Sequence, residues 1–128
     1  MHFMRYKMPV IVWALVIFAA SSVPGRDFPN LAILKYDKVL HIIFYCIFGA
    51  TVFLALEPKV ATGKMLWSRF VYTILIAAAY GASDEFHQLF VPGRSCDVYD
   101  FIADVTGGCC ALVLAWMFMK YRAHKLAI

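Results

Sequence analysis

Charge is scarce in this chain. Lys, Arg, Asp and Glu together make up 16% of its 128 residues, 63% are hydrophobic, and the mean hydropathy is +0.74. Soluble domains run nearer half apolar and a quarter charged, so lipid is the expected solvent. A basic stripe is also missing. The twelve Lys and Arg fall in small groups between apolar runs, which argues against nucleic acid as a partner despite a net charge of +4. There is no CxxC pair. Of Cys46, Cys96, Cys109 and Cys110, three lie in apolar runs and the last two are adjacent, which would strain a mutual disulfide. Neither a zinc site nor a disulfide framework is expected. No repeat, low-complexity tract or second domain interrupts a length suited to one domain.

What the chain has instead is four apolar runs, about 8–23, 39–56, 70–91 and 98–119. A helix needs roughly 20 residues to cross a bilayer core. The last two runs are long enough, the second is adequate, and the first gains from Tyr6 and Ser21 or Ser22 at its ends. Pro24, Gly25 and Pro29 follow the first run, Pro58 and Gly63 the second, and Pro92 and Gly93 end the third in a tight turn. The expected fold is all-α: an integral membrane protein forming an antiparallel four-transmembrane-helix bundle, a single domain over residues 1–128. Arg5, Lys7 and the small residues Ala20, Ser21 and Ser22 also suit a cleaved signal peptide, an alternative that would leave three spans.

Lys and Arg counts orient the bundle. Arg5, Lys7, Lys59, Lys64, Arg69, Lys120, Arg122 and Lys125 lie on one side, and only Arg26, Lys35, Lys38 and Arg94 on the other. The positive-inside rule places both termini and the 57–68 loop in the cytoplasm. The acids reverse this: Asp27, Asp37, Asp84, Glu85, Asp97, Asp100 and Asp104 are at the outer face, and Glu57 alone is inside.

Several of these outer charges fall within the runs, at helical spacing. Asp37, His41 and Tyr45 are four apart; Asp84, His87 and Gln88 stand at i, i+3 and i+4; Asp97, Asp100 and Asp104 stand at i, i+3 and i+7. Each set shares one helix face. A charge facing lipid costs roughly 3 kcal/mol at the bilayer centre, so such stripes face the bundle and mark function. The plainer reading is a set of helix-end ion pairs, with Asp97 or Asp100 capping the fourth helix and Arg94 neutralising nearby acids. Trp13, Trp67 and Trp116 suit interfacial or lipid-facing positions, Gly107 and Gly108 suit close helix packing, and His2 and His124 suit solvent.

At these residues the sequence resembles the VanZ-like family of small polytopic bacterial membrane proteins. The resemblance runs through Ser21-Ser22 with Pro24, Asp37-Lys38-Val39-Leu40-His41 with Tyr45, Asp84-Glu85 with Gln88, Pro92-Gly93-Arg94, and Asp100 with Asp104 and Gly107. It covers nearly the whole chain. Asp104 departs from the pattern, which often has Asn there, and adds a potential charge. The resemblance implies the bacterial cytoplasmic membrane and cell-envelope biology, and it links the chain to glycopeptide (teicoplanin) resistance without a settled reaction.

Three functions are open. The first is an enzyme or binder acting on an envelope lipid or lipid-linked cell-wall precursor at the outer leaflet. There His41 is the general base or acid, Asp84 and Glu85 form the acid pair, Lys38 and Arg94 hold an anionic group such as phosphate, and Tyr45, Gln88, Asp100 and Asp104 complete substrate binding. No resident cofactor is required, although Asp84, Glu85, Asp100 and Asp104 offer oxygen ligands for a divalent cation such as Mg²⁺. The second is a non-catalytic accessory protein whose polar cluster is structural or recognises a partner. The third, a proton-coupled transporter, lacks an acid on the cytoplasmic side of the bundle and would need a homo-oligomer to supply a path.

Overall fold

The computed structural model describes residues 2–25, 37–56 and 63–126. Arg26, Asp27, Lys35, Glu57 and Lys59, which entered the charge pattern above, lie outside them. The described residues form five helices, with no strand among them: α1 (His2–Tyr6), α2 (Met8–Ser21), α3 (Asp37–Ala55), α4 (Gly63–Gln88) and α5 (Val98–Leu126). Four segments are long and apolar enough to cross a membrane: Met4–Ser21, Asp37–Ala55, Lys64–Gln88 and Val98–Leu126.

Two boundaries differ from those expected. The third span begins at Gly63, not near 70, so Lys64, Ser68 and Arg69 are helical and not loop. Arg69 is accommodated there because it snorkels. Its guanidinium lies 3.9 Å from the Phe53 ring centre and donates to the Phe53 carbonyl at 2.7 Å. The fourth span runs on to Leu126. Its last turns carry Lys120, Arg122 and Lys125, cations that suit a helix C-terminus, and Lys120 lies 4.3 Å over Trp116.

The helices alternate in direction. One end of the bundle is basic, with Arg5, Lys7, Lys64, Arg69, Lys120, Arg122 and Lys125. The other is acidic, where α3 and α5 start and α4 stops. The tightest packing is α3 against α5, and small residues allow it. A Cβ on Gly107 would lie 2.5 Å from the Ile42 carbonyl oxygen and 2.9 Å from Tyr45 Cβ. The two backbones therefore touch one turn below Asp104 on α5 and at the level between His41 and Tyr45 on α3. Below that level the core is apolar and aromatic: Tyr45, Phe48, Val52 and Ala77 are buried with Ile17 of α2, and the Phe48 and Tyr80 rings are 4.9 Å apart.

The first span packs Ile17 into that core and is also tied in by side-chain to backbone bonds. Trp13 Nε1 donates to the Phe44 carbonyl at 2.8 Å, and the Tyr80 hydroxyl donates to the Ala14 carbonyl at 2.6 Å. Trp13 thus joins two helices and is not a lipid-facing anchor, unlike the exposed Trp67 and Trp116. Interhelical hydrogen bonds in bilayers are worth about 0.6 kcal/mol each. The double variant Trp13→Phe/Tyr80→Phe should therefore unfold a few degrees lower in a thermal ramp in detergent. It should also be cleaved faster by protease near α2, with the rest of the bundle intact.

Candidate functional site

Three helices bring their polar stripes to the acidic end, and the helical twist decides which residues meet. Successive side chains on α4 turn by about 100°, so residues 84 to 88 fan across an arc. Asp84 and Gln88 point into the bundle, where Gln88 Nε2 donates to Asp84 Oδ2 at 3.3 Å. Glu85, off the expected stripe, turns to the start of α5 and accepts the Asp97 amide at 2.8 Å. His87, expected on the stripe, turns the other way. Its ring lies 4.6 Å from that of Phe18, and its Nε2 is 3.0 Å from Ser22 Oγ. The Ser22 hydroxyl also lies 2.6 Å from the Phe18 carbonyl oxygen, which ties His87 to the end of α2. The reason is packing: α4 has α5 on one flank and α2 on the other, and the 84/87/88 spacing straddles both.

On α3, His41 Nδ1 lies 2.8 Å from Asp104 Oδ1 of α5, and its Nε2 is 4.0 Å from Asp37 Oδ1. Lys38 binds Asp97 Oδ2 at 2.6 Å and also Asp100 Oδ1. Its cation is thus committed to two carboxylates. Asp97 caps α5 as expected, its Oδ1 accepting the Tyr99 amide at 2.8 Å. The hydrogen bond from Lys38, and then that amide, hold the Asp97 carboxyl below the usual aspartate range. A lowered folded pKa stabilises above the ordinary aspartate value, so this contribution is present at neutral pH and is lost only in stronger acid.

Asp84, Glu85, Gln88, Asp100 and Asp104 are all buried, and Tyr45 is buried one turn below His41. Arg94 is placed by the turn between α4 and α5. Gly93 takes φ 76° there, a value glycine adopts freely, and Arg94 Nε donates to the Val23 carbonyl at 3.2 Å. The Gly25 amide donates to Pro92 O at 3.1 Å, which ties the end of the first span to the same turn.

A cavity of about 80 Å³ opens beside this cluster, room for several water molecules or a small polar group. Its lining mixes apolar side chains, Ile17 and Ala20 of α2 and Leu40 and Phe44 of α3, with polar ones that include Asp37, His41, Tyr45, Asp84, Gln88 and Arg94, and the apolar groups supply most of the surface. Of the nine candidate site residues, His41, Tyr45, Asp84, Gln88 and Arg94 therefore meet in the cavity. Lys38, Glu85, Asp100 and Asp104 lie in the charged layer beside it. Asp37 and Ser21 also line the cavity and are the polar residues the functional assignment left out. Asp37 was readable from its i, i+4 spacing to His41, and Ser21 from the Ser21-Ser22 pair that the family resemblance runs through. For a cation, the ligand atoms of Asp37, His41 and Asp100, and those of His41, Glu85 and Asp104, each lie within 4.8 Å of one another. Both groups centre on His41, whereas the all-carboxylate set expected from sequence, with Asp84 a member, is not among them.

Four spans with a buried ionisable layer at one end define a multi-pass membrane protein. The sequence model of the VanZ/LLP1 family matches residues 7–119, and the chain belongs to that family. It is also 25% identical over 129 residues to an uncharacterized protein of Schizosaccharomyces pombe, covering 100% of this chain and 75% of that one. No solved structure matches.

Proposed function

We propose that the cavity binds the headgroup of a membrane lipid or lipid-linked cell-wall precursor in the outer leaflet of a bacterial cytoplasmic membrane, with both termini cytoplasmic. The observation that supports this is the cavity's mixed lining: apolar side chains of α2 and α3 that suit a lipid chain, together with a few polar and charged side chains that suit its head. We assign Arg94, which lines the cavity, to an anionic group such as phosphate. Tyr45 and Gln88 orient the headgroup, and Asp100 and Asp104 hold the layer in shape. His41, with Asp84 and Glu85, is the means of moving protons should the headgroup react. The link to glycopeptide resistance fits an effect on that lipid pool.

An accessory role without catalysis is the second reading. It is favoured by Lys38, which is occupied by Asp97 and Asp100 and so serves the bundle before any ligand.

Lipid profiling separates the readings. Cells carrying the protein should differ from deletion cells in a phosphate-bearing lipid or precursor, and an Arg94→Ala strain should resemble the deletion. Identical lipid and precursor pools in all three strains would remove the headgroup reading.

A further inference from the structure

Among the described residues the charge balance of the polar layer is incomplete. Four carboxylates are buried in it: Asp84 5%, Glu85 3%, Asp100 6% and Asp104 0% exposed. Among the described residues two cations stand nearby, Lys38 on Asp100 and Arg94 on the cavity lining. Between these groups two negative charges remain uncompensated with His41 neutral, and one with it protonated. Buried charge of one sign is expensive unless paired or bound to a metal. Phosphate would also be repelled by such a layer.

Hydrogen bonding is incomplete at the same place. Asp104 Oδ2 and Glu85 Oε1 are buried and accept nothing from the described residues. Tyr45, 1% exposed and one turn below His41, has a hydroxyl without a partner as well. The Asp104 oxygen faces α4, since a Cβ on Gly81 would lie 2.9 Å from it, and Gly81 is one turn below Glu85 on that helix. Native proteins leave few buried polar atoms unsatisfied, and here three of them come from the three helices that also carry the ligand set.

We infer that His41, Glu85 and Asp104 bind one divalent cation, with the Tyr45 hydroxyl beside it. One imidazole nitrogen with carboxylate oxygens suits manganese or zinc better than magnesium. The cation neutralises the two surplus charges and gives a lipid phosphate a positive partner together with Arg94. This rests on the headgroup reading for its purpose, though not for its test. His41 then serves as a ligand, and a cation-bound water takes over the proton transfer assigned to it above.

The experiment uses the full chain in detergent, stripped with chelator and titrated with Mn²⁺, the free ion being read by electron paramagnetic resonance. The expected result is one Mn²⁺ per chain, displaced by Zn²⁺. Affinity should fall about tenfold or more in Glu85→Gln and in Asp104→Asn, and stay unchanged in His124→Gln, an exposed histidine at the basic end. Bound metal should also raise the unfolding temperature of the wild type with ion concentration, and this rise should be absent in the two carboxylate variants. Wild-type protein that binds no Mn²⁺ or Zn²⁺ up to about 1 mM, or carboxylate variants that bind as the wild type does, would overturn the site. If those variants do not fold, Tyr45→Phe decides, since it removes only an unpartnered hydroxyl. Weaker Mn²⁺ binding supports the site and equal binding overturns it. A chain that binds no cation yet alters the lipid pool through Arg94 removes this inference alone.

Discussion

Gly107→Leu should abolish the folded bundle, and Gly107→Ala should weaken it by about 3 kcal/mol, the upper part of the range for overpacking. Even the alanine methyl would lie 2.5 Å from the Ile42 carbonyl oxygen and 2.9 Å from both the Cys46 amide nitrogen and Tyr45 Cβ. Two of those atoms are backbone, so no rotamer change relieves the overlap. α3 and α5 must separate, and this is the most extensive helix pair in the molecule. Helices in lipid associate through close packing, with little hydrophobic drive to restore a lost fit. The separation also pulls His41 from Asp104 and Lys38 from Asp100, so the site opens with the packing. Size-exclusion profiles and thermal unfolding in detergent check this. Thr106→Ala, one residue away on the exposed face, is the control and should behave as the wild type. A Gly107→Leu protein with a wild-type profile would contradict the packing described here.

Lys38→Met should cost about 2–3 kcal/mol, and neutralising its partner should recover most of the loss. Lys38 holds Asp100, which is buried, and Asp97 at the rim. Removing one partner of a buried pair leaves the other charge in a low dielectric, which costs roughly 3–5 kcal/mol. The lower figure applies because the Lys38 side chain is 44% exposed and water screens part of the interaction. In a layer already rich in carboxylates, losing a cation can only worsen the balance, so the sign is firm. Asp100→Asn in the Lys38→Met background removes the stranded charge while keeping its shape. A double-mutant cycle on thermal or denaturant unfolding should show strong coupling between the two positions. Additive losses would mean that the pair does not hold α3 to α5.

Much of the bundle was legible from composition and spacing. Low charge and four apolar runs imply four spans, and the structure has four helices of the required length. The i, i+4 pattern of Asp37, His41 and Tyr45 predicts one face, and the three residues do share one side of α3. Prediction failed where a residue's fate depends on its neighbours. Arg69 reads as loop because it is charged, yet the Phe53 ring and carbonyl make a helical position tolerable. His87 reads as a partner of Asp84 because it is three residues on, yet α2 lies on that flank and takes it. Glu85 sits off the stripe and still enters the charged layer, because α5 begins opposite it.

Sequence alone therefore determined the solvent, the number of crossings and the membrane level at which charge collects. Each of these follows from transfer free energies and a helical period that act residue by residue. Tertiary structure decided the pairings: Asp104 with His41, Lys38 with Asp97 and Asp100, His87 with Ser22. It also decided which buried oxygens stay without a partner. These depend on how far three helices rotate and how closely Gly107 lets two of them approach, and packing sets both only once all the helices are together.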